Sequence, residues 1–179
     1  MGKAKLIKRP ITFCLPKGKA SQVSTAHNLT CISSLALGLG LAIIAIAAPG
    51  EYQITDGDVN ITRPDSTHNT TQIMQGSSRA VIDWKSFNID KGETVNFEHV
   101  TGDRFTTLNR VQGGMGASQI LGSITSKTGN IWILNADGVH FGQGSTVDVA
   151  SILVSTYNIS NENFMSGNYN FEEFPGATQ

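Results

Sequence analysis

The feature that most constrains the fold of this 179-residue chain is an alternation of apolar and polar residues with a period of two. Because successive side chains of a β-strand point to opposite faces, an apolar–polar–apolar triplet predicts a short strand that buries two side chains and exposes one. Such triplets occupy residues 59–61, 87–89, 95–97, 139–141 and 147–149. Turn-forming residues separate them, and only 15% of the residues are charged. The pattern predicts an all-β fold.

Two all-β architectures fit short strands at close spacing, a sandwich of hairpins and a solenoid of parallel strands. Asp137-Gly138 is typical of a two-residue hairpin turn and favours the sandwich. The continuous apolar run at residues 131–134 favours a strand that is covered on both faces, as in a parallel β-helix. Coils of roughly 20 residues would give about six coils here. The alternation alone leaves both architectures open.

The first 47 residues have the organisation of a secretory signal peptide. Six basic residues lie within the first 19 positions, and an apolar run follows them at residues 35–48. Both precede the first acidic residue, Glu51. This run contains Ala45 and Ala47 in the small-x-small pattern that signal peptidase cleaves. We therefore expect residues 1–47 to direct the chain to the Sec machinery and to be removed by signal peptidase. An uncleaved membrane anchor is the alternative.

The charge and cysteine content of the remainder agree with export. Beyond the basic front, seven basic residues stand against all fourteen acidic ones, a formal charge of −7. Such a charge argues against non-specific binding to nucleic acid, so no nucleic-acid partner is expected. Both cysteines, Cys14 and Cys31, lie in the signal segment. The exported product would therefore contain no cysteine.

The sequence offers no catalytic set, no metal site and no cofactor motif. The four histidines are scattered, and neither an H-E-x-x-H nor a G-x-S-x-G motif is present. Asp56 and Asp58 flank a glycine, as is typical of a solvated turn. A β-helical carbohydrate-active enzyme remains an alternative, with His140 and Asp148 at outward positions of their triplets. The chain is accordingly predicted to be no enzyme.

Two polar segments stand out from the strands. The first is LNRV at residues 108–111, where an Asn-Arg pair at a strand end can bond backbone carbonyls and neighbouring side chains. The second is ILNADGVHFG at residues 133–142, where Asn and Asp can cap a turn and Gly138 can take a positive φ. On physical grounds alone, turn formation is the favoured interpretation of both segments.

These segments also carry a family resemblance. The signal peptide is followed in order by VIDWKSFNI at 81–89, LNRV, ILNADGVHFG and STVDVASILVST at 145–156. In this order the chain resembles the N-terminal secretion domain of two-partner (type V) secretion exoproteins. That domain is of the filamentous-haemagglutinin type, and it also begins contact-dependent inhibition toxins and high-molecular-weight adhesins. The resemblance implies a right-handed parallel β-helix with an N-terminal cap, which settles the choice between the two architectures.

The resemblance also implies a partner and a destination. Such domains are recognised by the periplasmic domains of a dedicated outer-membrane β-barrel transporter, which exports the chain to the cell surface or the medium. The chain is therefore expected to be a secretion-targeting and folding-nucleating domain that serves an adhesin. The alternative outside the enzyme class is a domain that itself contacts host cells.

The residues that the resemblance marks for transporter recognition lie in the two polar segments. Asn109, Arg110 and Val111 match the N-R-V element of the family. The N-P-N-G element is matched at residues 135–138.

The second element departs from the family pattern at two of its four positions. Asn135 and Gly138 match, whereas Ala136 replaces the family's Pro and Asp137 replaces its second Asn. Because Pro fixes its own φ, its loss is expected to loosen the turn, while Asp still caps it.

The expected organisation has three parts. Residues 1–47 form the signal peptide, residues 48–170 the secretion domain, and residues 171–179 the start of a truncated downstream region. Any host-cell or bacterial target would be bound through that missing region, since exoproteins of this type are commonly much longer.

Overall fold

The computed structural model describes residues 48–63 and 69–175. The expected signal peptide, with Ala45 and Ala47, lies outside these residues. The elements of the described part are β1 Tyr52–Asp56, β2 Val59–Thr62, β3 Thr70–Gln75, β4 Arg79–Trp84, β5 Thr94–His99, β6 Phe105–Val111, β7 Ser118–Ile120, β8 Ser123–Asn135, β9 Val139–Phe141, β10 Thr146–Ser155 and α1 Asn161–Ser166. In this part, no helix is long and apolar enough to cross a membrane.

The strands stack in parallel and in register on three faces of a β-helix. The first face contains β3, β5 and the first parts of β8 and β10. The second contains β4, β6 and the later parts of β8 and β10. On the third face Ile89 bridges to Ile120, and β7 pairs with β9. The chain thus makes a solenoid of about four turns with almost no helix.

The number of turns is smaller than the six expected from the sequence. Thr94, Ser123 and Thr146 occupy the same register position on successive turns, so these turns are 29 and 23 residues long. The described residues before β3 form no turn of their own. The expectation of 20 residues per turn was wrong because the corners between faces are longer than the alternating triplets suggest.

An N-terminal cap closes the edges of the first turn, as expected. β1 pairs with β4 in the antiparallel sense, and β2 pairs with β3 in the same way. Every pairing between turns of the helix is parallel, so the reversal is confined to these two strands. The antiparallel strands cover main-chain groups of β3 and β4 that would otherwise template the pairing of another chain.

The hairpin that Asp137-Gly138 could form does not exist. The chain turns there from β8 into β9, and β9 pairs with β7 of the preceding turn in parallel. The dipeptide is a corner between the second and third faces. Gly138 has a φ of 91° at this corner, which is why a glycine suits the position.

The ends of two of the alternating triplets contribute to the interior of the solenoid. At residues 87–89 and 95–97 both apolar ends are buried and the central residue is partly exposed, as the sequence predicts. At residues 139–141 and 147–149 the prediction was wrong, because Phe141 is 39% and Val147 is 36% exposed. These triplets belong to the last turns, and no further turn covers them in the described residues.

The stacking of side chains between turns provides a test of this fold. Ile131 is fully buried, and Ile152 occupies the same register position one turn later but is 39% exposed. Replacing Ile131 by Ala is expected to lower the free energy of unfolding by about 2–5 kcal/mol, because a cavity remains in the core. Ile152→Ala is the matched control and should cost less than half as much. Urea unfolding measures both, and equal losses would contradict the described register.

Candidate functional site

Asn109 lies inside the solenoid and joins three successive turns. Its Oδ1 accepts a hydrogen bond of 3.0 Å from Nε1 of Trp84 on β4, and its Nδ2 donates one of 3.1 Å to the carbonyl of Trp132 on β8. The residue has no exposed surface. Because a buried amide needs hydrogen-bond partners, these two bonds fix the side chain between the neighbouring turns. Val111, two residues later, also points inward and is 1% exposed.

Arg110 points outward from β6 and binds the carboxylate of Asp83 through two parallel hydrogen bonds. Its Nε and Nη2 donate to the two carboxylate oxygens of Asp83, at 2.7 and 3.0 Å. Its Nη1 donates to the carbonyl of Ile159, and Nη2 also donates to Oδ1 of Asn161. Gln112 donates to the Asp83 carboxylate at 3.1 Å. The side chains of the ion pair are only 14% and 7% exposed, and bidentate pairs of this kind are the strong ones.

Asn135 is the counterpart of Asn109 at the end of β8. Its Nδ2 donates to Oγ of Ser118 at 3.0 Å and to the carbonyl of Gly116 at 3.2 Å. Its Oδ1 accepts from the backbone N–H of Asp137 at 2.9 Å, which caps the turn in the way the turn-forming interpretation predicts. Asn135 has no exposed surface, and Ala136 next to it is partly exposed.

Asp137 connects the second polar segment to the loop that follows the first. Its Oδ2 accepts from the backbone N–H groups of Gly114 and Gly116, at 3.2 and 3.0 Å. Both glycines have positive φ angles, so their N–H groups turn towards one acceptor. A carboxylate is well suited to hold two N–H groups, because charge-assisted bonds are stronger than neutral ones. The exchange of the family's Asn for Asp therefore keeps a tied turn.

The structure brings the two polar segments into one assembly. The loop at residues 112–117 begins directly after Val111 and is held by Asn135 and Asp137. Sequence reasoning did not identify Asp83, Trp84 or Ser118 as partners in this assembly. Asp83 and Trp84 lie in the family-like segment 81–89, but their partners are 27 and 25 residues away, respectively, and no local pattern indicates the pairing.

The two residues considered for catalysis lie apart. Asp148 is exposed on the first face, opposite Thr125, and His140 is exposed on the third face, opposite Gln119. Among the described residues, no group of three His, Cys, Asp or Glu is placed to hold a metal ion.

Comparison with known proteins identifies the family. The model of the TPS secretion domain matches residues 48–177, so the chain belongs to this family, the secretion domains of two-partner secretion exoproteins. A heme/hemopexin-binding protein of Haemophilus influenzae is 36% identical over 123 residues, which is 69% of this chain and 13% of the relative. The protein of the same name from strain ATCC 51907 / DSM 11121 / KW20 / Rd is 32% identical over 108 residues, 60% of this chain and 11% of the relative.

A solved structure supports the same assignment. The crystal structure of the HMW1 secretion domain from Haemophilus influenzae has a TM-score of 0.64 and 28% identity, over 74% of this chain and 33% of that one. The chain thus spans only about a tenth of its curated relatives and a third of the solved chain. The β-helical fold implied by the resemblance is confirmed.

Family membership defines the role of the domain. TPS secretion domains belong to exoproteins that pass through the outer membrane to the cell surface or the medium, and each has a dedicated outer-membrane transporter. The family is one of secretion domains and not of enzymes.

The buried amide of Asn109 provides a second test. Asn109→Ala leaves the Trp84 indole N–H and the Trp132 carbonyl without this partner, which is expected to cost about 1–3 kcal/mol for each group. Asn60→Ala is the matched control, since Asn60 is exposed on β2. Urea unfolding should show a large loss of stability for the first variant and almost none for the second. Similar stabilities would contradict the buried position of Asn109.

Proposed function

We propose that this domain is the export signal and folding nucleus of a longer adhesin-type exoprotein. In this proposal residues 1–47 bring the chain to the periplasm through the Sec machinery and are removed after Ala47 by signal peptidase. Residues 48–170 are then recognised by the periplasmic domains of the β-barrel transporter. The effector part belongs to the rest of the longer exoprotein. The domain acts as a binding module and performs no catalysis.

The burial of Asn109 and Asn135 is the observation that supports recognition of the chain before it folds. Neither residue has exposed surface after folding, and both amides are engaged in hydrogen bonds. If these elements are read by the transporter, they are read before the solenoid closes. An extended segment can add its main-chain hydrogen bonds to a strand edge of the partner, which suits recognition of an unfolded chain.

The same contacts explain how the domain could nucleate folding outside the cell. Each turn of a solenoid is stabilised mainly by its neighbours, so a first stable set of turns promotes the addition of the next. The cap, together with the amide of Asn109 that joins three turns, makes this first set. A folded nucleus on the outer side would also prevent the chain from sliding back.

The names of the two curated relatives suggest one class of effector activity, the binding of haem-carrying proteins. The two curated relatives are named as heme/hemopexin-binding proteins, and the longer match covers 69% of this chain. Capture of a haem-carrying protein by the downstream region is therefore a candidate beside adhesion to host or bacterial cells. It is proposed for the whole exoprotein and not for the secretion domain.

Secretion in a host that carries the transporter tests the proposed function. The chain is co-expressed with and without its dedicated outer-membrane transporter, and the extracellular fraction is measured. Export is expected only with the transporter. Asn109→Ala and Asn135→Ala should each reduce the extracellular fraction several-fold without reducing synthesis, while the control Asn60→Ala is exported normally. Unchanged export of both variants would refute the role of these two residues, and export without the transporter would refute the proposal itself.

A further inference from the structure

The outer side of the second face carries an apolar surface that is unusual for the outside of a solenoid. We call it the outer stripe. It consists of the outward side chains of β4, β6 and β8, namely Val81, Leu108, Trp132 and Leu134. Three of these side chains are fully buried and Trp132 is 8% exposed. Their burial does not come from the solenoid core, because inward neighbours such as Ile133 form a separate cluster.

One segment of the chain covers this outer stripe. We call residues 158–174 the strap. Ile159 and Phe164 of the strap are fully buried in the same cluster as the outer stripe. The Trp132 ring lies 5.3 Å from that of Phe164, 5.0 Å from that of Tyr169 and 5.8 Å from that of Phe171. The strap therefore supplies the cover that the sequence pattern of residues 131–134 requires.

The strap is a closed loop whose ends are hydrogen-bonded to each other. Asn158 and Glu172 exchange two backbone hydrogen bonds, of 2.7 and 2.9 Å. Between them, α1 is capped by the Ser160 side chain and ends at Gly167, which has a φ of 77°. Because the ends of the strap are bonded to each other and α1 is capped by residues of the strap itself, the strap can leave the surface of the solenoid as one unit.

Two arginines of the solenoid hold the strap in place. Arg79 donates to the carbonyl of Phe164 and to the hydroxyl of Tyr169, both at 2.9 Å, and its guanidinium lies 5.5 Å from each ring centroid. Arg110 donates to the carbonyl of Ile159 and to Asn161. The surface thus binds an apolar segment that presents carbonyl oxygens to two guanidinium groups.

The strap covers β6 and β8, the strands that contain Asn109 and Asn135 of the two polar segments. Leu108 directly precedes Asn109, and Leu134 directly precedes Asn135, so each element has an outward leucine beside its inward amide. The strap follows all ten strands in the sequence. These outward side chains are consequently available to a partner before the strap can close on them.

We propose that the outward side chains of the outer stripe are the docking groups that the unfolded chain presents, strand by strand, to the periplasmic domains of the transporter, and that the strap covers these side chains when the domain folds. The inference rests on the proposed function, since it assumes that the transporter reads the unfolded chain. It adds the side chains that are read, Leu108 and Leu134, and the element that ends the contact. A partner strand with apolar side chains and free carbonyls offers the same chemistry as the strap.

Binding of the unfolded chain tests the outer stripe. The chain is diluted from urea into detergent-solubilised transporter, and its affinity is measured before it folds. Leu134→Ser is expected to weaken binding roughly tenfold, as loss of an apolar anchor does. Ile133→Ser is the matched control, because it changes the inward neighbour on the same strand, and it should bind like the wild type. Equal effects of the two changes, or no effect of Leu134→Ser, would overturn the docking surface.

Binding of the folded chain tests the strap. Phe164→Ala and Arg79→Gln each loosen the strap and should raise the affinity of the folded chain for the transporter roughly tenfold, since they raise the fraction with an open stripe. Fluorescence quenching should increase in step, because Trp132 lies under the strap while Trp84 is inside the solenoid. Tyr157→Ala removes a 51% exposed ring outside the strap and is the control. If circular dichroism shows that Phe164→Ala does not fold, the affinity of Arg79→Gln decides whether the strap competes with the transporter.

The two proposals fail in distinguishable ways. If the unfolded wild-type chain does not bind the transporter at all, the proposed function is wrong. If the unfolded chain binds and the folded variants bind no better than the folded wild type, the competition by the strap is wrong and the proposed function stands.

Discussion

The buried hydrogen bonds of Asn109 are the interaction on which the arrangement of this domain depends. They join Trp84 of one turn, Asn109 of the next and Trp132 of the third. Because side chains alternate along a strand, a shift by one residue would turn Asn109 outward and bring its charged neighbour into the core. The buried amide therefore sets which side chains of β6 face inward. The outward position of Arg110, its ion pair with Asp83 and its contact with the strap follow from this choice.

The folded structure gives the two family elements a structural role that differs from direct recognition. Asn109 and Asn135 tie turns together inside, Asp137 holds the glycine loop, and Arg110 holds the strap outside. In the proposed function, the part that these residues play in export belongs to the unfolded chain, in which they are still accessible. On this proposal, folding and release from the transporter are two aspects of one process, because folding buries the side chains that the transporter would read.

Much of the fold could be predicted from the sequence, but the site only in part. The alternation at residues 95–97 predicts a strand with buried ends, and β5 confirms it, whereas residues 87–89 have the buried ends but form only the isolated bridge of Ile89. The apolar run at 131–134 predicts cover on both faces, which is confirmed. The nature of that cover was not predictable, since Phe164 meets Arg79 across 85 residues of sequence. The number of turns was misjudged because corner length leaves no periodic signal. Asn109 could be recognised by its motif, but the inward orientation of its side chain follows only from the register with β4 and β8.

Hydrogen exchange at the two indole N–H groups, followed by NMR, tests the central claim most directly. The chain has two tryptophans, and only the Nε1 of Trp84 donates to a buried amide, while Trp132 lies on the outer side under the strap. The Trp84 indole proton should exchange only through global unfolding, and that of Trp132 should exchange faster through opening of the strap. Asn109→Ala should remove the difference. Equal exchange rates in the unaltered chain would contradict the account.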